Sequence, residues 1–165
     1  LADEMALDDE FVQTIHYSAM MHDVGKIHIH PNILKKPGKL TEQEFREMQA
    51  HPIYGARSLG DSPRMLMAAD IARHHHEKFT GVGYPPGTAG EQIPLAARIV
   101  SVADVYDALR QQRVYKPAFS HDKAFKIITE GDGRTSPDDF DPGVLKAFKS
   151  VHGELERIFD EFQDE

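Results

Sequence analysis

The chain contains no cysteine in 165 residues. That excludes a disulfide framework and any thiolate metal site, so a bound metal would have to be held by histidine and carboxylate side chains. The same absence fits a reducing, cytoplasmic setting. Long apolar runs are missing too: nothing approaches the roughly 20 residues that span a bilayer, and the start does not read as a secretion signal. The expectation is a soluble chain with no membrane contact of its own. Basic charge is also scarce, with 19 Lys and Arg against 27 Asp and Glu and a formal net charge of -8. This argues against a nucleic-acid polymer as partner, because binding it needs a basic face that displaces counterions. A small anionic ligand is still compatible if cations are concentrated locally. There is no internal repeat, no low-complexity tract and no convincing alternating strand, so the expected fold class is all-α.

What is present suits one domain over residues 1–165, with 40% hydrophobic residues available for a core. Asp8 or Asp9 can cap a helix through "EFVQTIHYSAMM" that delivers His22 and Asp23 at its end. "LTEQEFREMQAH" follows with Thr41 and Glu44 in capping-box spacing; His51 falls at its end, where Pro52 is expected to bend or break the helix. Ser62 and Pro63 look like the cap and first residue of "RMLMAADIARHHH". "KFTGVGYPPGTAGEQIP" has four glycines and three prolines in 17 residues and reads as loop. Pro94 opens "LAARIVSVADVYDALRQQ", in which Asp104 and Asp107 share a face. Asp141 and Pro142 start a last amphipathic helix that includes Val144, Phe148 and Leu155.

His or Asp residues recur at or near the start of a loop or on a polar face of these helices: His22 and Asp23, His51, the triple His74, His75 and His76, and Asp104. Imidazole and carboxylate together suit iron, manganese, zinc or nickel better than calcium or magnesium. Six ligands, counting two of the triple, exceed one tetrahedral site. Two ions sharing Asp23 account for them more naturally, and such pairs serve in-line attack at phosphorus. The isolated residues His16, His28, His30, His121 and His152 read as surface or satisfied histidines. A His-Asp neighbour is weak evidence alone; His121-Asp122, following Ser120, reads as the first turn of a capped helix. Asp104 is harder to dismiss, because a carboxylate in "IVSVADVYDAL" needs a partner or a cation to offset desolvation.

Six segments then occur in order: "HDVGK" (22–26), "HP..G" (51–55), "HHE" (75–77), "GVGYP" (81–85), "IPLAARIVSVADVYDAL" (93–109) and "RVYK" (113–116). Together they resemble the HD-GYP family, bacterial phosphodiesterases that hydrolyse the second messenger cyclic di-GMP, over about Leu1 to Phe148. The resemblance implies an HD-domain-like helical bundle with a Gly/Pro-rich loop. It implies that His22 and Asp104 hold one metal, that His51, His75 and His76 hold another, and that Asp23 bridges them. Iron or manganese is the expected pair, with zinc or nickel as alternatives. His22, Asp23 and Lys26 would be catalytic, with Gly25 permitting the turn that returns Lys26. Lys26, Arg113 and Lys116 would contact substrate phosphate, and Tyr84 would line the pocket. Glu77 and Asp107 would orient the histidines or Arg113.

The family's products are the linear dinucleotide or GMP. Its signature loop is implicated in contacts with diguanylate cyclase domains, and an attached regulatory domain is expected. Two departures stand out: Thr80 occupies a position where the motif usually has aspartate, and a family ligand upstream of His22 would precede Leu1. They define the competing expectation, a catalytically degenerate module that binds the dinucleotide or a cyclase partner. A hydrolase of the same type acting on another nucleotide fits less well with "GVGYP" and "RVYK".

Overall fold

The computed structural model describes residues 1–85, 87–112 and 118–163, with Gln163 described by its backbone alone. Asp8 caps α1 (Asp9–Ala19), its carboxylate accepting from the Phe11 amide at 2.9 Å. A 3-10 turn over Val24–His28 leads to the short α2 (Pro31–Leu34). The Thr41/Glu44 capping box forms as the spacing predicts and starts α3 (Glu42–Met48). α4 (His51–Leu59) and α5 (Leu66–His74) form a hairpin; the Gly/Pro-rich segment crosses to α6 (Leu95–Arg110). Ser120 caps α7 (His121–Glu130) through the Lys123 amide, and α8 (Pro142–Gln163) completes the chain. No strand occurs among the described residues, so the all-α expectation holds.

Four boundary expectations are corrected. His51 does not end a helix: α3 stops at Met48 with Gln49 as its cap, and His51 is the first residue of α4. Pro52 lies in the first turn of α4, where its missing N–H would have had no intrahelical acceptor, so it starts a helix rather than breaking one. Ser62 and Pro63 do not open α5; the Met65 amide donates to the Ser62 carbonyl at 2.8 Å, forming a turn, and the helix proper begins at Leu66. The helices over 10–21 and 95–112 end two residues earlier than read, at Ala19 and Arg110.

α6 is the central element, packed by α5, α7 and α8. It buries Ala96, Ala97, Ile99, Val100, Val102 and Tyr106 around most of its circumference, the pattern of an interior helix rather than a surface one. Its partners contribute Ile71 from α5, Ala124 and Ile128 from α7, and Val144 and Phe148 from α8 to the same cluster. His121 is buried but satisfied, as read: its Nδ1 lies 2.8 Å from the Tyr106 hydroxyl and its Nε2 2.9 Å from His152 Nδ1.

Among the described residues, the segment between α5 and α6 is loop apart from a 3-10 turn at Gly90–Gln92. It is fastened rather than loose. Phe79 donates its amide to the Asp139 carbonyl at 2.8 Å, and Gly90 donates to the Phe79 carbonyl at 2.9 Å. A Cβ at Gly83 would lie 2.4 to 2.6 Å from the backbone of residues 76–78, so this glycine permits close approach of two chain segments.

Candidate metal centre

Two glycines set the position of the site. A Cβ on Gly25 would lie 2.0 Å from the His51 carbonyl oxygen and 2.4 Å from the Gly55 amide nitrogen. The turn carrying Asp23 therefore presses directly on the first turn of α4. Gly55 in turn approaches Ala72 of α5, three residues before His75. The sequence reading gave Gly25 the task of bending the chain; its φ is not positive, and its role is close contact between backbones. Through these contacts, residues 23, 51 and 75 meet.

Each of three imidazoles is fixed by a main-chain carbonyl in the last turn of a helix. Nδ1 of His22 lies 2.7 Å from the Ala19 carbonyl, Nδ1 of His51 2.7 Å from the Met48 carbonyl, and Nδ1 of His75 3.0 Å from the Ala72 carbonyl. A carbonyl accepts only, so Nδ1 carries the proton and Nε2 presents its lone pair, the arrangement usual for metal-ligating histidine. Those Nε2 atoms face Asp23. His51 and His75 stand 3.3 and 3.7 Å from its Oδ1, while His22 stands 3.4 Å from its Oδ2 and 3.7 Å from Asp104 Oδ1. Asp23, His51, His75 and His76 can bring one ligand atom each within 4.8 Å of one another.

The electrostatics are those of a site suited to positive charge. Asp23 Oδ1 is buried yet has no partner in hydrogen-bond geometry, a costly condition for a carboxylate oxygen. Burial opposes ionisation of Asp23, but His22, His51 and Lys26 hold its carboxyl well below the usual range. Burial pushes His75 down to about 3 and His76 down to about 2, so both rings are neutral and available as ligands near neutral pH. His22 differs: burial lowers it, but Asp23, the Ala19 carbonyl and Asp104 together raise it. Burial, aided by the charges of Asp23 and Asp107, pushes the Asp104 carboxyl up despite His22 and Lys26. A divalent cation between these groups would relieve both the orphaned oxygen and the crowded carboxylates, so the donor set fits one.

The remaining predicted residues fall into three groups. Lys26 pairs with Asp23 Oδ2, and Tyr84 stacks on His76 with ring centroids 4.8 Å apart; both line a cleft of about 620 Å³ with His51, His76 and Asp104. Glu77 and Asp107, expected to orient the histidines or Arg113, have the following neighbours among the described residues. Both Glu77 oxygens are buried without a hydrogen bond, and the nearest imidazole is His74, with Nδ1 at 3.8 Å. Burial raises the Glu77 carboxyl, opposed by the nearby amides of Thr88 and Gly87. Asp107 accepts from the Gln111 side chain. Arg113 and Lys116 lie outside the described residues.

Sequence reasoning missed the far wall of the cleft, Leu34, Leu40 and Met48 from α2, α3 and their connection. Pro31 directly after a capping His30 was the available signal. It also missed what holds Thr80. The Thr80 hydroxyl donates to Asp139 Oδ1 at 3.5 Å, and Lys78 Nζ donates to Asp139 Oδ2 at 2.8 Å, so a carboxylate from the α7–α8 connection anchors the loop at that point.

The HD domain family profile matches residues 1–140. The chain belongs to the HD domain family. As members of this family bind divalent metals, the cluster around Asp23 is where such binding is possible. This HD domain is 47% identical to a cyclic di-GMP phosphodiesterase of Vibrio cholerae, with 96% of the chain matching 33% of that protein. It is 43% identical to a cyclic di-GMP phosphodiesterase response regulator of Xanthomonas campestris, over 98% of the chain and 42% of the relative. A 3'3'-cGAMP-specific phosphodiesterase of Vibrio cholerae is 40% identical over 79% of the chain and 28% of its own length. The chain thus spans well under half the length of these relatives. No described helix is long and apolar enough to cross a membrane.

Proposed function

We propose that this HD domain is a metal-dependent phosphodiesterase that hydrolyses cyclic di-GMP to the linear dinucleotide or GMP. The observation that carries the reading is the buried, unpartnered Oδ1 of Asp23 among the ligand atoms of His51, His75 and His76. In this reading those three histidines would hold one divalent ion and His22 and Asp104 a second, with Asp23 contributing to both. Iron or manganese suits the mixed imidazole and carboxylate set, with zinc and nickel next. Bound there, the ions supply Lewis-acid stabilisation of charge developing on a phosphoryl oxygen.

The chain's own groups complete the site. Lys26, now held on Asp23 Oδ2, is the described cation placed to meet a phosphate oxygen, with Arg113 and Lys116 assigned the same task. The carbonyl-tethered rings keep their Nε2 atoms aimed inward without reorganisation, which is the geometric basis of electrostatic catalysis. Tyr84 and the Leu34, Leu40 and Met48 wall give the cleft an apolar side against which a nucleobase can lie. The relatives' names support a cyclic dinucleotide as substrate. A cytoplasmic location and a place in a larger regulated protein belong to the same reading. Val82, 73% exposed in the signature loop, is the point at which a diguanylate cyclase domain would touch.

Metal analysis paired with turnover tests this. Protein purified without oxygen should contain close to two equivalents of iron or manganese and linearise cyclic di-GMP. Asp23→Ala should fall below one equivalent and lose turnover. Fully loaded protein that leaves cyclic di-GMP intact would defeat the proposal.

A further inference from the structure

The four imidazoles around Asp23 are not held alike. His22, His51 and His75 are each tethered at Nδ1 by a main-chain carbonyl, so the backbone sets their direction. His76 belongs to the same ligand cluster, yet among the described residues its ring takes part in no hydrogen bond. Packing alone fixes its plane. The ring stacks on Tyr84 at 4.8 Å and 29°, and lies 4.0 and 5.1 Å from the rings of His75 and His51. The two histidines are carbonyl-bound, which leaves Tyr84 as the wall whose place depends on the signature loop.

The loop folds back on its own start. The Tyr84 amide donates to the His76 carbonyl at 3.3 Å and the Gly81 amide to the Lys78 carbonyl at 2.7 Å, while Gly83 presses on the backbone of residues 76–78. This unit is fastened to the α7–α8 connection through Asp139, which is 9% exposed. The Asp139 carboxylate accepts from Lys78 Nζ at 2.8 Å and from the Thr80 hydroxyl at 3.5 Å, and its carbonyl accepts from the Phe79 amide at 2.8 Å. Three consecutive loop residues thus converge on one acidic residue. Asp139 is itself fixed, closing a capping box with Ser136 whose amide it accepts at 3.0 Å. Among the described residues no hydrogen bond joins Asp139 to His76 or Tyr84; all three line a cavity of about 180 Å³. Any hold of Asp139 on the His76 ring therefore runs along the loop.

We propose that Asp139 is a positioning residue of the metal centre: by pinning residues 78–80 it sets Tyr84, and Tyr84 sets the ligand imidazole that no carbonyl holds. The inference rests on the metal-dependent reading above and adds how one ligand is held from outside the centre. Loss of such an outer partner typically costs about 10–100-fold in metal affinity.

The test is cobalt(II) uptake by the chelated chain, followed by visible absorption. Asp139→Ala should bind one of the two equivalents about 10–100-fold more weakly, with a cobalt spectrum moved toward that of His76→Ala. Asp139→Asn keeps an acceptor oxygen and gives up the charge facing Lys78, and should recover part of the affinity. Because the effect runs through Tyr84, Asp139→Ala combined with Tyr84→Ala should bind no more weakly than Tyr84→Ala alone, the non-additivity of residues on one route. Asp141→Ala removes a neighbouring cap; it should lower stability and leave cobalt affinity and spectrum at wild-type values. Unchanged affinity and spectrum in Asp139→Ala overturn the proposal. So do losses that add in the double variant, or an equal loss in Asp141→Ala, which would mark a general loosening of the fold. Should Asp139→Ala not fold, Asp139→Asn takes its place in the same comparison with Tyr84→Ala. A wild type that binds cobalt but leaves cyclic di-GMP intact when loaded with iron or manganese defeats the phosphodiesterase reading, and the affinities above still decide this inference. A wild type that binds no cobalt defeats both.

Discussion

A methyl group added at Gly25 would meet two backbone atoms, the His51 carbonyl oxygen at 2.0 Å and the Gly55 amide nitrogen at 2.4 Å. Neither can rotate away as a side-chain end could, so the turn carrying Asp23 would have to lift off α4. Gly25→Ala is expected to cost at least the roughly 1–3 kcal/mol typical of overpacking, read as a lower urea midpoint, and to lose metal on desalting. Gly153→Ala is the control. It lies mid-α8 with nothing within 4 Å of the new Cβ, and should leave stability equal or raise it by up to about 1 kcal/mol, the helix-propensity difference. The chemical identity of the site was legible residue by residue, because His and Asp announce what they can bind. The reason for Gly25 was not. Close approach between two backbones leaves no mark in a single sequence beyond the glycine itself, and a turn explains that glycine equally well.

At the scale of elements, signals that sit inside one helix were readable, and signals shared between two were not. Thr41 with Glu44, Ser120 and Asp141 each marked a true start, since a cap and its amides lie within a few residues. Pro52 misled because its meaning depends on which helix it belongs to, and the break between α3 and α4 spans only Gln49 and Ala50. Asp141 offers a test with a pH sign. Its Oδ1 accepts from the Gly143 and Val144 amides at 2.7 and 3.0 Å, and its Oδ2 pairs with Arg98. Burial works against ionisation, but the Val144 amide, Arg98 and the Gly143 amide together lower the carboxyl from 3.8. A carboxyl depressed in the folded state contributes stability that is complete above its unfolded value and is lost as pH falls through the folded one. Asp141→Ala should therefore cost about 1–2 kcal/mol at neutral pH, the scale of a lost cap. The gap to wild type should narrow as pH drops below about 4, followed by thermal unfolding across that range.

For the molecule as a whole, composition and helical period announced an all-α chain, but not that α6 would occupy its centre. Nor was the cleft readable, because its walls come from α2, α3, α6 and the signature loop, whose approach is a property of the assembled fold. Phe148 is fully buried beside Tyr106 and Phe125, with centroids 5.8 Å away in each case. Phe148→Ala should cost about 3–5 kcal/mol, measured by denaturant unfolding. It should also loosen α7 and α8 together, visible as faster hydrogen exchange in both. The tethering of three donor rings to main-chain carbonyls has a further outcome. On the metal-dependent reading, removing bound metal would break no strut of the scaffold, so the receptacle would stay standing and need no rebuilding before it is refilled. Chelated protein should keep the far-UV circular dichroism of the loaded form, melt at a lower temperature, and take up cobalt in one fast phase whose rate rises with cobalt concentration.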